Sequence, residues 1–392
     1  MRWAVLFAAA FLAGAQPARA TAGAEDFAAA RAELSPHWDG QLDTSQVGPR
    51  LLRRLWSVAE SAGATYLAAH PSASPEQLER SLTDLDPDAS VQAVRLDDHS
   101  FIVSFSWQIV SDVFILSIER GRVGVPWAAD RIASASRGDF EPLLAFSASY
   151  WRDDCLGRLP EKPADCGPVG ADVGRLADTA ASERRFYVNA SFAANEGLDD
   201  GGQISFWRWD GRRAAPLSVH TYWFLQGAGP VVRISGGVVH VHVKDGFRSF
   251  FNCAPCGGRE RDWRFRVTPT KIVNLGKRSD VPELDFIDDL FHRALTGAPM
   301  GDIASPQITG FLHHLAVSAG GTDANPTFGT LDDWMVSADG TQACIETDEG
   351  GTALFTLQHR DGHWMAASAT ALRDDTCKSQ LNWPNAKAEY SQ

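Results

Sequence analysis

The spacing of apolar residues changes period twice along the chain. Between residues 24 and 90 it is helical: an Ala-rich stretch runs from Ala24 to Leu34, and Leu51, Leu52, Leu55, Val58, Ala59 and Ala62 then recur at three- and four-residue steps. Ser74-Pro75-Glu76-Gln77 predicts a further helix start, with Ser74 as N-cap, Pro75 at the first helical position and Gln77 completing a capping box. From Val91 the period becomes two. Phe101, Val103, Phe105 and Trp107 fall on one strand face, and Val113 to Ile118 reads as a more buried strand. Arg120-Gly121 predicts a turn into a strand from Val123 to Trp127, and the turn-rich segment 141–184 predicts loops with short strands.

The same rhythm continues with strands at Phe186 to Val188, Ile204 to Trp209 and Leu217 to Phe224, the last two joined at Asp210-Gly211. Pro230 to Ile234, Val238 to Val243 and Asp262 to Val267 follow. Gly236-Gly237 and Gly201-Gly202 read as turn glycines. The period then returns to helical. Leu284, Ile287, Leu290, Phe291 and Ala294 line one face before Gly297, and a second helix begins at Ser305-Pro306 with Ile308, Phe311, Leu312 and Leu315 on its apolar side. Four strands near 332–337, 341–346, 352–359 and 363–370 close the chain, separated by Asp339-Gly340, Gly350-Gly351 and Asp361-Gly362.

These elements predict a mainly β chain with α+β parts. A signal peptide at 1–20 precedes a helical lead-in at 21–90 and an antiparallel β domain at 91–276, built as a sandwich, barrel or small propeller. A C-terminal domain at 277–392 packs a helix pair on an antiparallel meander. Trp209-Asp210-Gly211 would suit a propeller blade, but the motif occurs once, so no repeat period supports that choice.

The N-terminus reads as an export signal: Arg2 in a positive n-region, an apolar run from Ala4 to Ala13, and Ala18-Arg19-Ala20 as an A-x-A cleavage site. The run is about half the ~20 residues a bilayer requires, and no Cys near the cleavage point offers a lipid attachment. A periplasmic or secreted protein with no membrane anchor after cleavage is expected. Loss of Arg2 and Arg19, with no acid removed, moves the formal charge from −13 to −15. That balance disfavours nucleic acid and anionic lipid, which need concentrated positive surface.

Six cysteines in an exported chain predict disulfides. Proximity favours Cys155 with Cys166, Cys253 with Cys256, and Cys344 with Cys377. Cys253-Ala-Pro-Cys256 lies between alternating segments in a Gly-containing stretch, which favours a clip on a hairpin over a redox pair at a helix N-terminus.

Chemistry leaves few traces. His240 and His242 share one face of a strand and form the candidate metal pair, with no third ligand placed by the sequence. Trp207 and Trp209 share a strand face, either as core or as an aromatic surface for sugar or peptide. The doublets Asp97-Asp98, Asp153-Asp154, Asp199-Asp200, Asp288-Asp289, Asp332-Asp333 and Asp374-Asp375 read mostly as solvated acids. Asn189-Ala190-Ser191 is a lone glycosylation sequon. No G-x-S-x-G elbow, P-loop or dinucleotide fingerprint is present, and no catalytic residue or cofactor is assigned. The expected function is a non-enzymatic binding or structural module with a carbohydrate or protein ligand. The alternative is a hydrolase of carbohydrate or envelope polymer using a carboxylate pair or a His-bound metal.

Overall fold

A computed structural model describes residues 17–34, 49–107, 110–128, 166–176, 183–194, 199–225, 229–245, 259–318, 331–347, 351–372, 377, 386 and 388–391. Within them lie helices α1 (Pro17–Leu34), α2 (Pro49–Ala69), α3 (Pro75–Thr83), α4 (Pro282–Thr296) and α5 (Pro306–Ser318). The strands form three four-stranded sheets and one five-stranded sheet, mostly antiparallel. The chain divides into two compact units, Met1–Ala190 with Ser205–Val219 and Ser191–Ile204 with His220–Gln392.

In the first unit, β1 (Ala89–Asp97), β2 (Ser100–Trp107), β3 (Val110–Glu119) and β4 (Arg122–Ala128) form a meander in chain order. The lead-in helices supply its apolar cover: Phe27, Leu55, Trp56, Leu78 and Leu82 share a core with Phe101, Phe105, Trp107, Phe114 and Leu116. Phe27 and Trp56 both meet the Phe105 ring, at centroid distances of 5.6 and 6.2 Å. Phe27 of α1, which is fully buried, lies beyond the expected cleavage point after Ala20. The capping box forms as expected, with the Gln77 amide donating to Ser74 Oγ and the Ser74 amide donating to Gln77 Oε1.

The second sheet has the order β5 (Cys166–Arg175), β6 (Arg184–Ala194), β7 (Asp199–Trp209), β8 (Ala214–Leu225). Two sequence readings change here. The loop-rich segment 141–184 contributes a ten-residue strand, β5, despite its glycines. Gly202 is a strand residue of β7, not a turn residue, because a Cβ there would run into the Tyr222 ring; Gly174 of β5 is covered in the same way by Tyr187. A tyrosine lying flat over a cross-strand glycine restores the side-chain cover that glycine lacks. Asn189 of the sequon is 1% exposed on β6, where a glycan has no room.

In the second unit, β9 (Val231–Ser235), β10 (Val238–Asp245), β11 (Arg259–Val267) and β12 (Ile272–Ser279) form a third meander. Gly236 and Gly237, at φ 55° and 75°, supply the left-handed pair required by the two-residue β9–β10 turn. The last sheet has the order β16-β15-β14-β13-β17, from β13 (Leu331–Val336), β14 (Gln342–Thr347), β15 (Gly351–Arg360), β16 (His363–Leu372) and β17 (Ala388–Ser391). It packs beneath the helix pair, as the amphipathic spacing predicts: Leu284, Ile287, Leu290 and Phe291 of α4 and Ile308 and Leu312 of α5 meet Trp334, Ile345, Phe355 and Leu357. Gly297, at φ 65°, ends α4 in the left-handed conformation. Cys344 on β14 and Cys377 are joined as a disulfide across a sequence separation of 33. Cys155, Cys253 and Cys256 lie outside the described residues, and nothing is described of the Cys166 side chain.

The third meander and α4 share an ionic interior. Arg259 and Arg261, both buried on β11, reach Asp285 at 2.6 and 2.9 Å; Arg259 also pairs with Asp288 at 3.0 Å, and Arg261 with Asp245 at 3.1 Å. Arg259 and Asp288 have 2% and 4% of their side chains exposed, so neither charge can fall back on solvent. Removing one partner strands the other in low dielectric, whereas removing both removes the desolvation cost as well. Asp288→Ala is expected to lower stability by about 3 kcal/mol, and the double replacement Arg259→Met, Asp288→Leu to restore much of it. Chemical unfolding of the three proteins checks this; equal loss in the single and double variants would contradict it.

Candidate functional site

The outward face of the third meander gathers the most chemistry. Alternation on β10 sends Val239, Val241 and Val243 inward, where all three are buried, and leaves His240 and His242 on the other face. Cross-strand register then sets their neighbours. His240 stands opposite Arg264 and Arg233, His242 opposite Asp262 and Val231, Lys244 opposite Glu260, and Asp262 opposite Arg278.

Each histidine bonds diagonally rather than directly across. His240 Nδ1 lies 2.7 Å from Asp262 Oδ2, and His242 Nε2 lies 2.7 Å from Glu260 Oε2. Diagonal cross-strand neighbours sit about 7–8 Å apart, within reach of an imidazole and a carboxylate extending toward each other. The other nitrogen of His240, Nε2, is 3.1 Å from Oγ of Ser235, the last residue of β9 before the glycine turn. Ser235, His240 and Asp262 therefore form a continuous hydrogen-bonded chain across three strands. A carboxylate only accepts, so Nδ1 of neutral His240 carries the proton and Nε2 accepts from the Ser235 hydroxyl. Among the described residues the buried Asp262 Oδ1 has no hydrogen-bond partner, and His240 is bonded to Oδ2 of that carboxylate.

The two histidines share a face, as expected, but each is held by its own carboxylate. Among the described residues, three metal-type donors come together only at Asp333, Glu346 and Cys377, and the Cys377 sulfur is already committed to the disulfide with Cys344. That place is a buried carboxylate beside a half-buried one, with Glu346 Oε2 accepting from the Cys377 amide at 3.3 Å.

Trp207 and Trp209 do not present an aromatic face to solvent. They are 2% and 0% exposed; Trp207 packs among Trp127 and Phe186 at 5.0 and 6.2 Å. Their indole N–H groups donate to Ser205 Oγ at 2.9 Å and Asp97 Oδ2 at 3.0 Å, which removes the cost of burying them. Several acidic doublets likewise turn one member inward. Asp97 receives Trp209, Asp288 receives Arg259, and Asp333 is 3% exposed.

A second cluster occupies the sheet containing β5 and β6. Tyr187 is buried over Gly174, and burial together with the Asp172 carboxylate raises its phenol to about 12. Asp172 is exposed as a residue, yet crowding of its carboxyl raises it above the ordinary range against an opposing hydrogen bond from Asn189. Asn189 bonds the Asp172 carboxyl and Tyr187 covers a glycine, an arrangement that stabilises the sheet.

No family model and no curated protein matches the chain. Among solved structures, a GH43 β-1,3-galactosidase with galactodeoxynojirimycin is similar at 9% identity and a TM-score of 0.23, covering 71% of this chain and 75% of that one. At that TM-score the likeness carries no argument about fold or activity. The local chemistry of this chain is the only guide to its function.

The Tyr187 environment has a direct consequence. A folded phenol at about 12, against about 10 when unfolded, binds its proton more tightly in the native state. Its contribution to stability is complete below pH 10 and is lost as pH rises toward 12. Tyr187→Phe is therefore expected to flatten the alkaline fall in unfolding free energy between pH 10 and 12 and to remove one late-titrating phenol from the ultraviolet absorbance titration. An unchanged titration curve would contradict it.

Proposed function

We propose that the chain is an exported binding protein whose docking element is the edge strand β9. Export is supported by the n-region, apolar run and A-x-A site at the N-terminus, and the Cys344–Cys377 disulfide fits an oxidising compartment. No described helix is long and apolar enough to cross a membrane.

The observation that carries the reading is the exposure of β9. Among the described residues the large apolar side chains left exposed are Val231, at 45%, and Ile234, at 43%, both on this one strand. Among the described strands, β9 ends its sheet and pairs only with β10. The Gly236-Gly237 turn makes Ser235–Val238 the first bonded pair, so alternation also bonds Arg233 to His240 and points the amides of Val232 and Ile234 away from the sheet. Such an edge accepts an extended segment as an added strand, with backbone hydrogen bonds giving affinity and alternate side chains giving selectivity. The outward face carries Arg233, Lys244, Arg264 and Arg278 against Glu260 and Asp262, which selects an acidic partner. The occupant is an extended polypeptide segment with apolar and acidic residues in alternation.

A second reading, hydrolysis, is favoured by one observation, the Ser235–His240–Asp262 chain, and draws on neither a carboxylate pair nor a bound metal.

A short labelled peptide of alternating Val and Glu is expected to bind the mature protein by fluorescence anisotropy and to slow amide exchange along β9. Ile234→Pro removes an outward donor while sparing the bonds to β10, and is expected to weaken binding at least tenfold. Failure of the unaltered protein to bind, or equal binding by the variant, would overturn the reading.

A further inference from the structure

We infer that Ser235 is a nucleophile activated by His240 and Asp262, giving the outward face of β9–β11 an esterase activity. The inference goes beyond peptide docking and rests on a different observation, the hydrogen-bonded chain from Ser235 to Asp262.

Three features support it. The first is connectivity: Ser235 Oγ to His240 Nε2 at 3.1 Å and His240 Nδ1 to Asp262 Oδ2 at 2.7 Å place nucleophile, base and orienting carboxylate in the order that acyl transfer requires. The triad is recognised by these roles and not by a surrounding motif, which is why the absence of a G-x-S-x-G elbow does not bear on it. The second is access. Ser235 is exposed, while His240 and Asp262 are 28% and 21% exposed, so a substrate can reach the hydroxyl and the relay behind it is partly shielded. The third is the turn itself. Gly236 and Gly237 follow the serine at φ 55° and 75°, and their amides donate to no group in the described structure. Consecutive free N–H groups in a turn suit a developing negative charge.

The other histidine pair shows what is particular here. His242 is bonded to Glu260 on the same face, at the same 2.7 Å, but among the described residues no serine is bonded to it. A polar ladder alone explains His242 and Glu260; it leaves the serine contact of His240 unexplained.

The substrate class is a carboxylic ester on an anionic molecule, since Arg233 and Arg264 flank His240 on the neighbouring strands. In acylation Ser235 Oγ bonds to the carbonyl carbon and its proton passes to His240 Nε2. The ester C–O bond then breaks, and the alcohol leaves with that proton. Water attacks the acyl-serine and gives a proton to His240; the acid departs as the proton returns to Ser235 Oγ. No oxidant, metal or co-reactant is consumed.

The test uses the mature full chain and diisopropyl fluorophosphate, which adds a phosphoryl group to an activated serine and releases fluoride. Intact-mass and peptide mapping are expected to place one adduct on Ser235, and Ser235→Ala to abolish it. His240→Ala and Asp262→Asn are each expected to slow labelling at least about 100-fold. His242→Ala, which removes the neighbouring pair on the same sheet, is expected to label at the unaltered rate. Circular dichroism and thermal midpoints of each variant separate loss of activation from loss of fold. No adduct on the folded protein, an adduct elsewhere, or normal labelling of a folded His240→Ala variant would overturn the inference. Peptide binding is read independently, so failure of either proposal leaves the other standing.

Discussion

The buried pairing of Arg259 and Arg261 with Asp245, Asp285 and Asp288 is the constraint on which the rest of the second unit's chemistry depends. Two guanidinium groups inside a core are tolerated only if carboxylates meet them, and burial lowers Arg261 from its usual value even with those partners in place. The odd-numbered residues of β11 must therefore face α4. A slip of one residue would turn both arginines to solvent and drive Glu260, Asp262 and Arg264 into the interior, so the ion network excludes the wrong register more strongly than an apolar strand would.

Register on β11 fixes the opposite face. With Arg259 and Arg261 inward, Asp262 must point outward, diagonal to His240, and Glu260 diagonal to His242. The valines of β10 hold the histidines outward in the same way, and the glycine turn carries β9 back so that Ser235 arrives beside His240. The hydrogen-bonded chain on the surface is thus assembled by three interior decisions: two arginines in, three valines in, and a tight left-handed turn.

The first unit solves a different problem with aromatic rings. Trp207 and Trp209 fill the interior and donate their N–H groups to Ser205 and Asp97, and Tyr187 compensates for the bare backbone of Gly174. The aromatic density that marks residues 206–209 in the sequence is therefore spent on stability. The proposed function lies where aromatics are few and charged side chains alternate with valine.

Helices α2, α4 and α5, the capping box at Ser74, the hairpin turns at Arg120-Gly121 and Gly236-Gly237, and strands β13 to β16 were legible because each is written in local spacing: apolar period, cap residue or left-handed glycine. β5 was not, because Gly170 and Gly174 break the apolar alternation, and Gly174 is covered by a ring from another strand. The inward members of the acidic doublets were equally hidden, since nothing near Asp288 or Asp97 in the chain announces Arg259 or Trp209. The sequence by itself determined the β-rich class, the succession of most elements and the outward placement of His240 and His242, all properties of period two and period 3.6. Only the tertiary structure decided that Asp262 and Ser235 would meet His240 from two neighbouring strands, because a diagonal contact depends on register, and register is set by what the opposite face must bury.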